Sequence, residues 1–281
     1  MAYNYAKSLG WNSVAAAAVF AALYTPLALY FVAKIIQERR KVLFTMTLFC
    51  TIRVAAFIMR AISAGVTSAG DNEGLFIATE VFFSVGFFGL LYATYSLVMD
   101  RLDLCDNDDK ASVPTPIIGN LLRLTRNRRF FRMALIVPMA LGIAGINLAS
   151  SDPSSSIGTS LREASAIIFL VLTVFQVLQT LVLIKAEHEG KDHLEYTSTS
   201  FGTKHASLLF GIISLLLLIR EIFTVVTINN IAKANNEHLW YPLIALPEIL
   251  CVLVYTIPGV IPPKGYSIDL PASQDRDRSK L

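Results

Sequence analysis

Six ionisable side chains stand inside stretches otherwise apolar enough to cross a bilayer: Arg53, Arg60, Glu80, Arg220, Glu221 and Glu248. An arginine at mid-bilayer costs about 2.5–3.5 kcal/mol on insertion scales, so charges at these positions need partners or a wet cavity. Arg53 and Arg60 lie in FCTIRVAAFIMRA, seven residues apart. Seven residues is close to two helical turns, which puts both on one face, roughly 10 Å apart along the axis. Three positive and three negative charges suggest mutual pairing. The expected pairs are Arg60 with Glu80 on neighbouring helices, and Arg53 or Arg220 with Glu248. Two roles fit such pairs. They can fix helix register and nothing more, or they can line a polar cavity for a small-molecule ligand, open to the outside between helices two, three, six and seven. The six residues are therefore the candidate ligand-binding set.

Other chemistry lacks its residues. His188, His193, His205 and His238 fall in loops or at a helix end, so no intramembrane zinc or haem site is expected. Leu239–Ile261 carries no lysine for a retinal Schiff base. The stretch EHEGKDHLE reads as a solvated loop rather than a metal site. There is no glycine-rich phosphate loop and no nucleophile elbow. The chain is not expected to be an enzyme, to hold a metal or cofactor, or to bind nucleic acid.

The elements that must position the charges follow from composition. The 281 residues are 54% hydrophobic and 16% charged, with mean hydropathy +0.56, whereas soluble domains average about 25% charged. Seven apolar runs are long enough to span: Val14–Ile36, Val42–Ala64, Leu75–Met99, Phe131–Ala149, Glu163–Ile184, His205–Thr227 and Leu239–Ile261. Lipid leaves no partner for free backbone groups, so these runs must be helices, giving an all-α seven-transmembrane bundle. Of the Lys and Arg residues, 18 fall on one side of this arrangement and three (Lys7, Arg162, Lys233) on the other. That bias predicts an external N-terminus and a cytoplasmic C-terminus. Residues 1–13 then form a short external N-terminus, 14–261 the transmembrane domain and 262–281 a disordered cytoplasmic tail. The first run is expected to be a retained span, and the three cysteines predict no external disulfide.

Several local features bear on the site. Pro247 in the seventh helix cannot donate to the carbonyl of Leu243, so a kink is expected beside Glu248. Trp240 and Tyr241 at its outer end read as interfacial anchors. Gly86 and Gly89 on the third helix permit close helix contact, and Thr173, Gln176 and Thr180 on the fifth suit interhelical hydrogen bonds. The segment Asp100–Phe130 has a basic second half that either lies on the anionic inner leaflet or forms a solvated loop. IMRAI and LIREI in helices two and six, with FIATE and IALPE in three and seven, form a faint parallel echo.

The stretches YTPLALYFVAK, FCTIRVAAFIMRA, TEVFFSVGFFGLLYA, LLIREIF and WYPLIALPEILCVLVYTIPGVIP resemble a family of fungal seven-transmembrane proteins of unknown function, some labelled family-C-like G-protein-coupled receptors. Size and helix count are also similar to those of fungal lipid-translocating proteins. Asp100-Arg101 looks like the start of the motif that ends the third helix of rhodopsin-type receptors, with Leu102 where the tyrosine would stand. The resemblance implies a receptor-like protein sensing a small molecule, with a cytoplasmic signalling protein at its basic inner loops. The other function it implies is a transporter or lipid translocator using the same charges as a substrate path. The expected location is the plasma membrane or an internal membrane.

Overall fold

A computed structural model describes residues 6, 10–105, 128–151, 156–189 and 201–261. The basic inner segment between 106 and 127 and the tail from 262 lie outside the described residues. Seven helices carry the length and hydropathy to span a bilayer: α1 (Val14–Gln37), α2 (Lys41–Gly65), α3 (Glu73–Cys105), α4 (Arg128–Ser151), α5 (Ser156–Glu189), α6 (Ala206–Thr227) and α7 (Glu237–Tyr255). The protein is an all-α multi-pass membrane protein. Consecutive helices pack on one another, α7 returns to α1, and α3 sits in the middle against α2, α4, α5 and α6.

Several ends differ from the sequence expectation. α5 starts at Ser156, seven residues before Glu163, which brings Arg162 inside the helix. Arg162, read from sequence as a flanking outer residue, therefore lies about 9 Å along α5, at ~1.5 Å per residue. α7 stops at Tyr255 rather than continuing to Ile261. The chain turns at Pro258-Gly259, where Gly259 adopts φ +92°, a conformation that favours glycine. This turn docks on the far end of the bundle. Its Pro258 carbonyl accepts from Gly202 N, 3.1 Å, and its Gly259 carbonyl accepts from Arg101 Nη2, 2.9 Å, and from Thr203 Oγ1, 3.4 Å. Arg101 thus ties the turn after α7 to α3.

The expected kink beside Glu248 is a π-helical turn, Tyr241–Ala245. Leu246 N donates to the carbonyl of Tyr241, five residues back. Pro247 has no N–H to continue an ordinary ladder, and one widened turn absorbs the mismatch. The fifth-helix expectation holds in part. Gln176 Nε2 donates to Ser214 Oγ at 2.9 Å and to Thr180 Oγ1 at 3.1 Å, joining α5 to α6, whereas Thr173 Oγ1 turns back to the carbonyl of Phe169.

Candidate functional site

The helix faces bring five of the six predicted charges into two neighbouring clusters and place the sixth in a separate cage. Arg53 is fully buried on α2, and its Nη2 donates to Glu248 Oε1 of α7 at 2.6 Å. The same carboxylate oxygen lies 3.2 Å from Arg220 Nε on α6. Arg220 Nη1 is paired in turn with Glu221 Oε1. The result is an alternating chain, Arg53–Glu248–Arg220–Glu221, in which each positive group lies next to a negative one and the net charge is zero. Both arginines proposed for Glu248 therefore use it at once, rather than one or the other. Burial of this kind is tolerable only when hydrogen bonds cover the remaining donors. Arg53 meets that need partly through Nη1, which donates to the carbonyls of Phe82 (3.3 Å) and Phe83 (3.0 Å).

Gly86 makes room for this guanidinium. A Cβ built at Gly86 would stand 2.9 Å from Arg53 Cζ and Nη1, whereas one at Gly89 meets only Thr45 Cγ2 at 3.6 Å. Small residues on α3 do permit close approach to α2, but at Gly86 the space is filled by the charged end of Arg53. Gly86→Ala is expected to lower stability by about 1–3 kcal/mol through overpacking, and Gly89→Ala to leave it within about 0.5 kcal/mol. Thermal unfolding of the two purified variants in one detergent checks the contrast.

Arg60 does not pair with Glu80. Its guanidinium carbon lies over the rings of Trp240 (4.0 Å), Trp11 (4.6 Å) and Tyr241 (5.5 Å), and its nearest carboxylate is Glu237, 4.0 Å away. A desolvated cation–π contact contributes about 2 kcal/mol, so an aromatic cage can stand in for an ion pair. Trp240 and Tyr241, expected at the membrane interface, are buried instead and form two walls of this cage. The third wall, Trp11, comes from the N-terminal segment, which is strapped down by Glu237. That carboxylate accepts from the backbone N–H of Asn12 (3.1 Å) and of Ser13 (2.9 Å). Phe57, between Arg53 and Arg60 on α2, makes edge contacts with Trp240 of the cage at 6.1 Å and with Phe83 at 5.2 Å. IMRAI and LIREI thus sit in unlike surroundings: Arg60 is held by rings, Arg220 by carboxylates.

Glu80 faces a different neighbour. With Arg162 of α5 it lines a cavity of about 140 Å³, together with Ser84, Phe87, Pro138, Gly142, Ser165, Arg220 and Glu221. The expected cavity between helices two, three, six and seven is therefore found one step around the bundle, between α3, α4, α5 and α6. Arg220 and Glu221 belong both to its wall and to the ionic chain. Arg53, Arg60 and Glu248 do not line it. Arg162, which the sequence reading left outside the candidate set, does. Arg220 Cζ lies 3.7 Å from the centroid of Phe87, which holds the cation at the wall. A Cβ at Gly142 would meet Ser165 Oγ at 2.9 Å, so α4 and α5 are closely packed behind the cavity.

Its lining residues lie on α3 at 80–87, α4 at 138–146, α5 at 162–169 and α6 at 220–224, with Ile228 just past the end of α6, all in the half of the bundle that carries Trp11 and Glu237. Among the described residues, Glu80 and Arg162 make no ion pair within 4.0 Å, although both face one space. The site can therefore offer one carboxylate and one guanidinium to a guest without breaking the ionic chain beneath. No family model, curated protein or solved structure matches this chain.

Proposed function

We propose that this is a receptor-like seven-transmembrane protein that senses a small zwitterionic molecule in the cavity between α3, α4, α5 and α6. The observation that carries the reading is that Glu80 and Arg162 line one small space without an ion pair within 4.0 Å, while the other two charges at its wall, Arg220 and Glu221, are paired with each other. A guest with an ammonium group and an acid group satisfies both. A net cation or anion leaves Glu80 or Arg162, both half-buried, without a partner and so gains less. At about 140 Å³ the space is below the ~300–1,000 Å³ of drug-sized pockets and suits a molecule of amino-acid size.

Receptor action also needs a guest that favours one of two arrangements. α6 carries Arg220, Glu221 and Thr224 at the cavity, and the short turn Phe201–Lys204 before α6 holds the Pro258-Gly259 turn of α7. A shift of α6 on binding would load that contact at the opposite end, near the basic loops where a cytoplasmic signalling protein is expected to dock. The apolar layer beneath the cavity, with Leu90, Leu91, Ile213 and Leu217 buried, favours sensing over passage. The second reading, a transporter or lipid translocator, draws on the Gln176–Thr180–Ser214 cluster, a polar step farther along α5 and α6.

The purified protein in phosphatidylcholine vesicles, offered labelled free serine, separates these readings. Saturable binding without uptake into the vesicle lumen is the expected result, and uptake selects the translocator. Arg162→Gln should weaken binding roughly ten- to a hundredfold, the range for losing a charge-assisted hydrogen bond, while the unfolding temperature stays near that of the parent. Equal binding of ethylamine, acetate and serine would overturn the zwitterion.

A further inference from the structure

The connection between α1 and α2 lies at the opposite end of the bundle from the cavity. Ile35 and Ile36 of α1, Arg39 and Arg40 of the connection, and Lys41, Phe44 and Thr45 of α2 line a groove of about 600 Å³. The groove is two-sided in its chemistry. Ile36 and Phe44 are 75% and 59% exposed, and they continue the outward apolar faces of α1 and α2, where Leu29, Val32 and Leu48 also lie exposed. These faces meet acyl chains in a spanning helix. Beside them stand three cations, Arg39, Arg40 and Lys41, with a single acidic residue, Glu38, whose carboxylate is 3.4 Å from Arg40 Nε. Arg39 and Lys41 are exposed and free of that pair. α2 begins at Lys41, so the positive end of its dipole falls at the same place.

We infer that this groove is a binding site for an anionic phospholipid. The phosphate and acidic headgroup lie on Arg39 and Lys41, and one acyl chain runs along Ile36 and Phe44. The helix ends fix the depth: α1 stops at Gln37 and α2 starts at Lys41, so the cations stand where a spanning helix leaves the hydrocarbon and headgroups begin. A solvated loop would need the charges but not the two large exposed apolar residues beside them. An interface for a soluble protein would not be placed at acyl-chain level. The site is separate from the cavity, and its failure would leave the proposed sensing function untouched.

The test is lipid retention by the full-length protein in detergent, read by native mass spectrometry with phosphatidylglycerol and phosphatidylcholine offered together. The expected result is preferential retention of phosphatidylglycerol. In Arg39→Gln/Lys41→Gln this preference should fall roughly thirtyfold, about fivefold per cation near the surface. Lys204→Gln, which removes a cation outside the groove, should leave it within twofold. Phe44→Asn keeps every charge and should weaken retention of the diacyl lipid while leaving binding of glycerophosphate unchanged. Three results would overturn the site: an unchanged preference in the double variant, an equal loss in Lys204→Gln, or displacement of the lipid by inorganic phosphate, which would make the groove a phosphate site.

Discussion

Glu248→Gln is expected to destabilise the bundle by about 3–5 kcal/mol, the range for removing one partner of a buried charge pair. The reason is the double use of one carboxylate oxygen, 2.6 Å from Arg53 Nη2 and 3.2 Å from Arg220 Nε. Neutralising it leaves Arg53 with two backbone carbonyls and no counter-charge in a fully buried position. Arg220 keeps Glu221, so the greater part of the loss falls on Arg53. The second variant follows from that asymmetry. Arg53→Met/Glu248→Gln removes the stranded cation and should recover more than half of the loss, because no buried charge on α2 is then left without its counter-charge. Denaturant unfolding of the four members of the cycle checks this. Additive losses would mean that Arg53 and Glu248 do not act on one another.

Trp11→Ala is expected to cost about 3–5 kcal/mol as well, the range for deleting a buried tryptophan. Trp11 is 1% exposed although it lies outside every spanning helix. Its ring covers Arg60 at 4.6 Å and meets Phe76 at 5.3 Å, and its Nε1 donates to Asn235 Oδ1 at 3.5 Å. Deleting it opens the cage to solvent and loosens the N-terminal strap held by Glu237. Trp11→Phe keeps a face for the cation and should lose about half as much. The unfolding temperatures of the two variants, with proteolysis near the N-terminus as a second readout, distinguish loss of the cation–π wall from loss of packing. If phenylalanine is as damaging as alanine, the cage does not hold Arg60 through its rings.

The spans and the pairing of Arg53 and Arg220 with Glu248 were legible in the sequence because both rest on composition and depth. A run of apolar residues near twenty must become a helix in lipid, and Arg53 and Glu248 each stand near the middle of their runs, Val42–Ala64 and Leu239–Ile261. The rotation of each helix about its own axis was not legible. Glu80 and Arg60 also lie at similar depths, yet α3 turns Glu80 toward α4 and α5, and Arg60 finds rings instead. Arg162 was read as a flanking charge because the fifth apolar run begins at Glu163, while the polar stretch from Ser156 onward is already helical. Trp240 and Tyr241 show the ambiguity of amphipathic rings near a helix end, which suit a headgroup layer and a buried cation equally. The two tryptophans of the chain both fall near the end that carries Arg60, and that coincidence was the available signal. The π turn was half legible: Pro247 required a break, but a kink and a widened turn satisfy the same missing N–H.

The proposal that a small molecule enters the polar cavity from the N-terminal side is tested most directly by thiol access at Ser84, which lines it. Cys50 and Cys251 are buried, so a Ser84→Cys/Cys105→Ser protein in oriented vesicles reports chiefly on that position. The account predicts labelling by a membrane-impermeant thiol reagent from the side bearing the N-terminus, slowed severalfold by free serine. Labelling from the other side alone, or labelling indifferent to serine, would contradict it.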